Sequence, residues 1–408
     1  MQPLSIAIAG CGPAGLAAAL ALSRQGHAIQ LFDQFDIPRP LGSGLILQPP
    51  GLAVLDWLGP GPRLRGLGQT LDRLYGRAIG SGRVVLDVKY KALGPGLRGL
   101  GVHRAALFNV LHDAVLAADL PTANSRRITA LRRASERRPL LLAHDGAEFG
   151  PFDLVIDALG SRSPLIEHAA APVLRRRLGY GAIWASLPWC GNFDEHALEQ
   201  RYRDASVMIG VLPIGRLAEG EGKQAAFFWS LKTDDHPAWL REGLEGWKDR
   251  VCALWPETAV LLDHISDPAQ LSLASYGHHT LPLPFGERVV FIGDSAHSTS
   301  PQLGQGANMA LLDVAALAQA LEDHDDLATA LSGYARLRRL HVRLYQALSV
   351  GFTPFYQSDS RILPLIRDQL VSPLSRMPGA TRLLAGIVAG LMVDPLSGLR
   401  GFRDASGA

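Results

Sequence analysis

The feature of this sequence that most restricts its fold lies in the first 33 residues. Residues 4–9 are an apolar run that predicts a strand, and a G-x-G-x-x-G motif follows directly at positions 10–15. Alanine and leucine dominate residues 16–24, which predicts a helix, and residues 28–32 predict a second strand that ends at Asp33. A strand, a glycine-rich turn, a helix and a strand with an acidic end predict a βαβ unit that binds a dinucleotide.

Each glycine of the motif has a separate task in such a unit. Gly10 makes the tight turn, Gly12 admits a pyrophosphate, and Gly15 lets the helix and the strand approach closely. Asp33 lies 18 positions after Gly15, close to the spacing that is needed to reach a ribose hydroxyl. The motif occurs once, so a nicotinamide dinucleotide would have to bind without a Rossmann unit of its own.

A second informative stretch spans residues 288–317. Residues 289–292 predict a buried parallel strand, Asp294 follows it, and a long loop leads through Gly304 and Gly306 into a helix from position 307. The glycines let backbone N–H groups approach a flat ligand, and the positive end of the helix dipole favours an anion there.

A flavin has the chemical features that this second stretch could bind. Its ribitol would contact Asp294, and the edge of its ring, which becomes anionic on reduction, would lie over residues 305–308. The alternative is an ordinary strand–loop–helix crossover. Such crossovers rarely need both a Gly-x-Gly at the helix start and an aspartate at the strand end.

Composition places the chain among globular proteins with a large core. It has 408 residues, of which 47% are hydrophobic and 19% charged, so we expect two or three packed units. A net charge of +2 gives no reason to expect nucleic acid or an anionic membrane as a partner. Three cysteines without close spacing indicate neither a disulfide framework nor a metal site. The apolar residues 383–393 are too few to cross a bilayer, and we expect a cytoplasmic protein.

The rest of the chain predicts an insertion into the dinucleotide-binding unit. Residues 38–50 read as a loop, and residues 73–79 and 83–88 as a hairpin. Helices are predicted at 51–58, 102–118, 237–255 and 327–349, and strands at 128–131, 140–143, 152–156, 179–187, 206–214, 224–231 and 270–275. We expect an FAD-binding domain from residues 1–72, 98–173 and 276–350, a substrate domain from 73–97 and 174–275, and a helical segment at 351–408.

Three motifs together resemble one family. They are GCGPAG with Asp33, VHRAALFNVL with Arg104, and GDSAHSTSPQLGQGAN after residue 292. The sequence resembles the single-component, class A FAD-dependent aromatic hydroxylases, whose type member is para-hydroxybenzoate hydroxylase. The resemblance implies an α/β fold with a Rossmann-like FAD-binding domain, an inserted mixed β-sheet substrate domain and a helical C-terminal segment. It also implies that NADH or NADPH reduces FAD, that O₂ adds at flavin C4a, and that the hydroperoxide hydroxylates an aromatic or heteroaromatic ring.

The resemblance also implies site residues. Pro301 would shape the pocket where substrate meets the flavin; His297, the nearest titratable residue, is a catalytic candidate, with a structural histidine as the alternative. Arg104 would reach the ribose–pyrophosphate part, with an ordinary surface arginine as the alternative. The predicted cofactor-binding residues are Gly10, Gly12, Pro13, Ala14, Gly15, Asp33, Arg39, Gln48, Arg104, Ile128, Gly160, Asp294, Pro301, Gly304, Gln305, Gly306, Ala307 and Asn308.

One departure from the family concerns the segment Asp157-Ala158-Leu159-Gly160. Leu159 stands where the family has an aspartate that is tied to FAD and nicotinamide handling. The preference for NADH or NADPH is therefore open.

The inserted region predicts the chemical class of the substrate. Its strand segments 207–212 and 225–229 contain no charged residue. Because a buried carboxylate needs a fixed cation, we expect a mostly apolar aromatic substrate that is larger than a benzoate. The candidate substrate residues are Trp184, Met208, Gly210 and Phe228, with simple core packing as the alternative for each.

Other functions remain possible on the same fold. An FAD-dependent reductase or dehydrogenase of a polycyclic or isoprenoid substrate would keep these motifs, and so would a non-catalytic FAD-binding protein. A flavin halogenase would carry a Trp-x-Trp-x-Ile-Pro segment, which residues 184–188 do not supply. The expected partners are a small aromatic molecule and O₂, and the protein is a monomer or a homodimer.

Overall fold

The computed structural model describes residues 1–37, 42–133, 138–375, 377–393 and 395–400. The strands are β1 Ser5–Ala9, β2 Ala28–Phe32, β3 Gly44–Leu47, β4 Gln69–Leu71, β5 Arg73–Ala78, β6 Val84–Lys89, β7 Gly99–His103, β8 Thr122–Ala123, β9 Ile128–Arg133, β10 Pro139–Ala143, β11 Glu148–Phe149, β12 Leu154–Asp157, β13 Leu174–Pro188, β14 Ala197–Arg203, β15 Val207–Gly215, β16 Gln224–Lys232, β17 Ser272–Thr280, β18 Phe285–Gly286, β19 Val289–Phe291 and β20 His297–Ser298. The α-helices are α1 Pro13–Ser23, α2 Pro49–Trp57, α3 Gly61–Leu67, α4 Arg104–Ala117, α5 His236–Glu242, α6 Leu244–Leu254, α7 Ala259–Leu262, α8 Gly306–Asp323, α9 Leu327–Tyr356, α10 Leu363–Ile366, α11 Ser372–Ser375 and α12 Pro378–Val388.

The predicted βαβ unit forms the centre of a six-stranded sheet with the order β18-β19-β12-β1-β2-β8. Strands β1, β2, β12 and β19 pair in parallel, so their carboxyl ends meet at one edge. Helices α1 and α8 pack together in the largest core cluster, where Leu16, Leu20 and Leu311 are buried. This edge is where an open α/β sheet binds its ligand.

A second, eight-stranded sheet has the order β20-β17-β13-β16-β15-β14-β5-β6. The predicted hairpin β5–β6 joins it because β5 pairs in parallel with β14, a strand that the sequence reading did not predict. On one face, Ile209 and Trp229 pack against Trp247 of α6. On the opposite face, Met208 and Phe228 belong to a different cluster. Alternation along the strands therefore divides core packing from a second apolar surface.

Three local predictions were wrong. Part of the predicted loop at 38–50 is strand β3, which pairs with β7, while residues 38–41 lie outside the described residues. The helix predicted from residue 102 begins at Arg104, because His103 accepts the Ala105 N–H at 3.0 Å and caps it. The helix predicted at 237–255 is two helices, because Gly243 has a φ of 82° between them.

The C-terminal segment closes over the larger sheet. Helix α9 continues to Tyr356, beyond the predicted end at residue 349, and contains Pro354. Short helices and a π-helical turn at Arg367–Val371 follow, and α12 packs against β6. These contacts bring Ala385 and Val388 into the same cluster as Met208. The proposed boundaries between domains stay a prediction.

Candidate active site

The glycine-rich turn after β1 has the shape that a pyrophosphate needs. Gly10 has a φ of +104°, and a Cβ there would lie 2.6 Å from the Ala158 carbonyl oxygen. A Cβ on Gly15 would lie 1.9 Å from the Gly10 carbonyl oxygen, whereas a Cβ on Gly12 would have no neighbour within 4 Å. Gly10 and Gly15 are therefore fixed by the backbone, and Gly12 faces open space at the N-terminus of α1, where Pro13 and Ala14 begin the helix.

Asp33 closes this turn from the end of β2. Its carboxylate accepts the Cys11 N–H at 3.1 Å and the Phe35 N–H at 2.9 Å. Burial, with Asp33 beside it, raises the pKa of the Cys11 thiol far above its usual range. Cys11 therefore stays a protonated thiol, and a small side chain is all that this position requires.

The second stretch brings its chemistry to the same edge of the sheet. Asp294 is exposed in a 3-10 turn after β19. Pro301 begins another 3-10 turn, which ends at Gly304 with a φ of 61°, and α8 starts at Gly306. A Cβ on Gly306 would have no neighbour within 4 Å. A carboxylate, an open glycine and a helix N-terminus thus lie along one loop.

The amides of Gln305 and Asn308 hold this loop in place. Asn308 accepts the Gln48 N–H at 2.7 Å and donates to the Gly304 carbonyl at 3.0 Å. Gln305 donates to the Val388 carbonyl at 2.7 Å. Both residues are buried, so their side chains brace the loop, and the helix start offers a ligand mainly its backbone.

His297 does not belong to the reacting surface. Its Nε2 lies 2.7 Å from Asp313 Oδ2, and Arg338 donates to Asp313 Oδ1 at 2.7 Å. Burial alone would raise the pKa of Asp313, but the adjacent His297 and Arg338 outweigh it and hold that pKa below its usual value. Asp313 also accepts the Gly293 N–H at 2.8 Å. The buried triad anchors the turn under the loop, which corrects the proposal of a catalytic histidine.

A cavity of about 690 Å³ runs from this loop to the larger sheet. Its loop end is bordered by residues that include Arg104, Arg162, Asp294, Pro301, Gly304 and Gly306. Its sheet end is bordered by Leu74, Leu86, Trp184, Leu198, Gln200, Tyr202, Met208, Leu212, Phe228, Tyr276, Phe352, Tyr356, Leu384 and Val388. The cavity thus joins a dinucleotide-binding edge to an apolar chamber closed by the C-terminal helices.

Comparisons with known proteins agree with this geometry. A family model described as an FAD binding domain matches residues 265–342. The aurachin C monooxygenase/isomerase of Stigmatella aurantiaca is 26% identical, covering 96% of this chain and 99% of the relative. The 6-hydroxynicotinate 3-monooxygenase of Pseudomonas fluorescens is 27% identical, with coverages of 83% and 89%. The solved tetrameric form of 2-methyl-3-hydroxypyridine-5-carboxylic acid oxygenase superposes with a TM-score of 0.79 at 19% identity, covering 97% and 98%.

The chain is similar to the FAD-dependent aromatic hydroxylases. The predicted resemblance, fold class and cofactor are confirmed, and the protein is an FAD-dependent monooxygenase. Within the described residues, every helix is too short or too polar to cross a membrane.

Three of the four predicted substrate residues line the cavity. Trp184 and Phe228 lie with ring centroids 4.5 Å apart, and Met208 borders the same chamber. Gly210 does not line it, because a Cβ there would lie 2.0 Å from Phe228 Cζ and the ring covers that position. Gly210 therefore makes room for Phe228, which corrects its assignment as a substrate contact.

Sequence reasoning missed the lining residues that come from β14 and the C-terminal helices. In β14, Leu198, Gln200 and Tyr202 alternate with charged residues, a period-two signal that the sequence does carry. Tyr356 and Leu384 have no comparable signal, since only the folded chain brings their helices over the sheet.

The remaining predicted cofactor residues are in different surroundings. Arg104 borders the cavity and lies 2.9 Å from the position of a Cβ on Gly42. Ile128 is buried in a hydrophobic cluster with Phe152, which gives it a packing role. Gly160 has a φ of +85° and open space beside it, whereas Arg39 lies outside the described residues.

The departure at Leu159 has a structural counterpart in Asp157. The Asp157 carboxylate is fully buried, accepts the Leu159 N–H at 2.9 Å and accepts the Ser163 hydroxyl. Burial raises the pKa of Asp157 to about 7, although both hydrogen bonds act in the opposite direction. Leu159 packs beside the cluster that contains Phe291. The buried Asp157 carboxylate thus holds this turn in place through its two hydrogen bonds.

Proposed function

We propose that the protein hydroxylates a mostly apolar aromatic or heteroaromatic molecule, using FAD, O₂ and either NADH or NADPH. The observation that carries this proposal is one continuous cavity, which opens from the loop at Gly304 and Gly306 into a chamber walled by leucines and aromatic rings. Such a chamber stabilises a flat apolar ring by burial and excludes water from the reacting atoms. We also propose a cytoplasmic location, where NAD(P)H is available.

The residues present fit FAD. The open space beside Gly12 and the N-terminus of α1 suit the pyrophosphate, and Asp33 suits the adenosine ribose. Asp294 would accept hydrogen bonds from the ribitol, and the backbone from Gly304 to the start of α8 would border the ring. When bound and reduced, FAD supplies the activation of O₂ that the hydroxylation requires. The protein binds and orients the substrate ring beside it.

The positions of the cations support an apolar substrate. Two arginines border the cavity, Arg104 at the start of α4 and Arg162 after β12. Arg203 and Lys232 border a separate surface groove. Two of the similar proteins are named for carboxylated pyridines, 6-hydroxynicotinate and a hydroxypyridine carboxylic acid. None of the described residues that line the sheet end is an arginine or a lysine, so we propose a ring without a carboxylate.

The test is oxygen uptake and NAD(P)H oxidation with quinolones, alkyl phenols and simple benzoates. Apolar rings should stimulate both, and one atom of isotope-labelled O₂ should appear in the product. Ring-dependent NAD(P)H oxidation without labelled product would instead identify a reductase. Tight binding and coupled hydroxylation of benzoates alone would contradict the apolar chamber. Flavin released by heat should be FAD, because the adenosine half is what the glycine motif and Asp33 bind.

A further inference from the structure

Two buried glutamines border the cavity, and each has its amide held by a tyrosine. The Tyr90 hydroxyl lies 2.7 Å from Gln48 Oε1, and the Tyr202 hydroxyl lies 2.9 Å from Gln200 Oε1. Gln48 is 0% exposed and Gln200 is 7% exposed. Since a phenol donates to an amide oxygen, each glutamine directs its NH₂ group away from its tyrosine.

The two NH₂ groups have little else to donate to. Gln48 Nε2 is buried without a hydrogen-bond partner in the described structure, and it lies 3.8 Å from the position of a Cβ on Gly304, at the flavin end. Gln200 Nε2 meets only the thioether sulfur of Met208, at 3.4 Å. A thioether is a weak acceptor, so a buried amide donor remains largely unsatisfied at the sheet end.

The orientation of Gln200 is fixed from two sides. The sulfur of Met208 accepts from the NH₂ group and would repel the amide oxygen, while Tyr202 requires that oxygen on its own side. Behind Tyr202, the Arg367 guanidinium carbon lies 5.1 Å from the ring centroid. Burial raises the pKa of the Tyr202 phenol well above its usual value and outweighs Arg367, which is 1% exposed and acts to lower that pKa, so the phenol stays protonated and donates.

We infer that Gln200 is the specificity-determining residue for the substrate ring, donating its amide N–H to a ring carbonyl oxygen or to the corresponding enolate. This inference rests on the proposed function and names the substrate class more narrowly, as heteroaromatic rings that carry an oxygen acceptor. Tyr202 is the positioning residue that keeps the donor turned toward the cavity. A ring with an amino group at the same place would bring its N–H donors against the N–H donors of Gln200 and bind more weakly.

The test measures ligand binding to the FAD-loaded protein by the change in flavin absorbance, so it does not depend on turnover. The two probes are 2-heptyl-4(1H)-quinolone, which offers a carbonyl, and 2-heptyl-4-aminoquinoline, which offers a donor there. The wild-type protein should bind the quinolone at least about tenfold more tightly. Gln200→Leu should lose about tenfold in quinolone affinity and remove the preference, and Gln200→Glu should reverse it.

Tyr202→Phe serves as the second variant if Gln200 substitutions fail to hold FAD. It keeps the ring and the wall of the cavity but frees the amide to rotate, so the preference should fall by roughly threefold to tenfold. An unchanged ratio of the two affinities in Gln200→Leu, or in Tyr202→Phe where that variant is the one that holds FAD, overturns the role of Gln200. A different result would contradict the proposed function, namely the absence of ring-stimulated oxygen uptake by the wild-type protein.

Discussion

The FAD-binding region and the sheet end of the cavity bind their ligands in opposite ways. At the flavin end, which comprises the glycine-rich turn after β1 and the loop end of the cavity, binding depends on backbone shape. Gly10 and Gly304 both adopt positive φ, and the Asn308 amide is engaged in internal hydrogen bonds. At the sheet end, binding depends on which face of a strand a side chain occupies, and the Gln200 NH₂ group has the Met208 sulfur, a weak acceptor, as its partner. A ligand common to a whole family suits the first arrangement, and a ligand that differs between relatives suits the second.

The largest expected effect is a difference in stability between variants of Gly15 and Gly12, two glycines of the turn after β1. Gly15→Ala places a Cβ 1.9 Å from a backbone oxygen, so we expect a loss of at least about 3 kcal/mol in stability and no bound FAD. Gly12→Val places its side chain in open space, so the apoprotein should fold normally and bind FAD at least about a hundredfold more weakly. Thermal unfolding of both apoproteins and FAD titration check this. Equal destabilisation by both changes would contradict a site reserved for pyrophosphate.

Asp294→Ala should weaken FAD binding by about tenfold, since it removes a charged acceptor of hydroxyl hydrogen bonds. Folding should be unaffected because Asp294 is exposed. Equilibrium dialysis with FAD measures the effect, with the exposed Asp249→Ala as a matched control. Wild-type affinity in Asp294→Ala would show that the ribitol lies elsewhere.

Gly210→Ala tests the sheet end alone. The new Cβ would meet Phe228 Cζ at 2.0 Å, so the ring must move into or out of the chamber. Affinity for the preferred substrate should fall by roughly threefold to tenfold, while FAD content stays at the wild-type level. Gly222→Ala, with nothing within 4 Å of its Cβ, is the control. A parallel loss of FAD in Gly210→Ala would mean that the two ends are not separable.

A further expected effect is a pH dependence of stability at Asp157. Its folded pKa of about 7 is above that of an unfolded aspartate, so the native state binds more protons between about pH 4 and pH 7. Stability should therefore fall as pH rises through this window and level off above it. Asp157→Asn should remove a decline on the order of 2 kcal/mol, seen by comparing denaturant unfolding at pH 5 and pH 8. The same slope in both proteins would assign the titration to another group.

The difference between the two regions also explains which features could be predicted from the sequence. The βαβ unit, Asp33 and the Gly304–Gly306 loop were predictable because their meaning lies in spacing along a short stretch. The contacts of the Asn308 amide could not be predicted, since one partner, the Gln48 N–H, comes from a distant part of the chain. At the sheet end, Gly210 was assigned wrongly because the neighbouring strand supplies the ring that covers it.

The interleaving of the two sheets along the chain has a consequence for how the protein is made. Strand β1 must wait for β12, and β12 for β19, whose residues emerge only after seven of the eight strands of the larger sheet have been synthesised. The last wall of the cavity, Leu384 and Val388, comes later still. Contacts between such distant segments slow folding and leave apolar strand edges open meanwhile. Expression at low temperature with excess flavin should therefore raise the yield of the soluble hydroxylase, because early FAD capture shortens the life of the unclosed sheet.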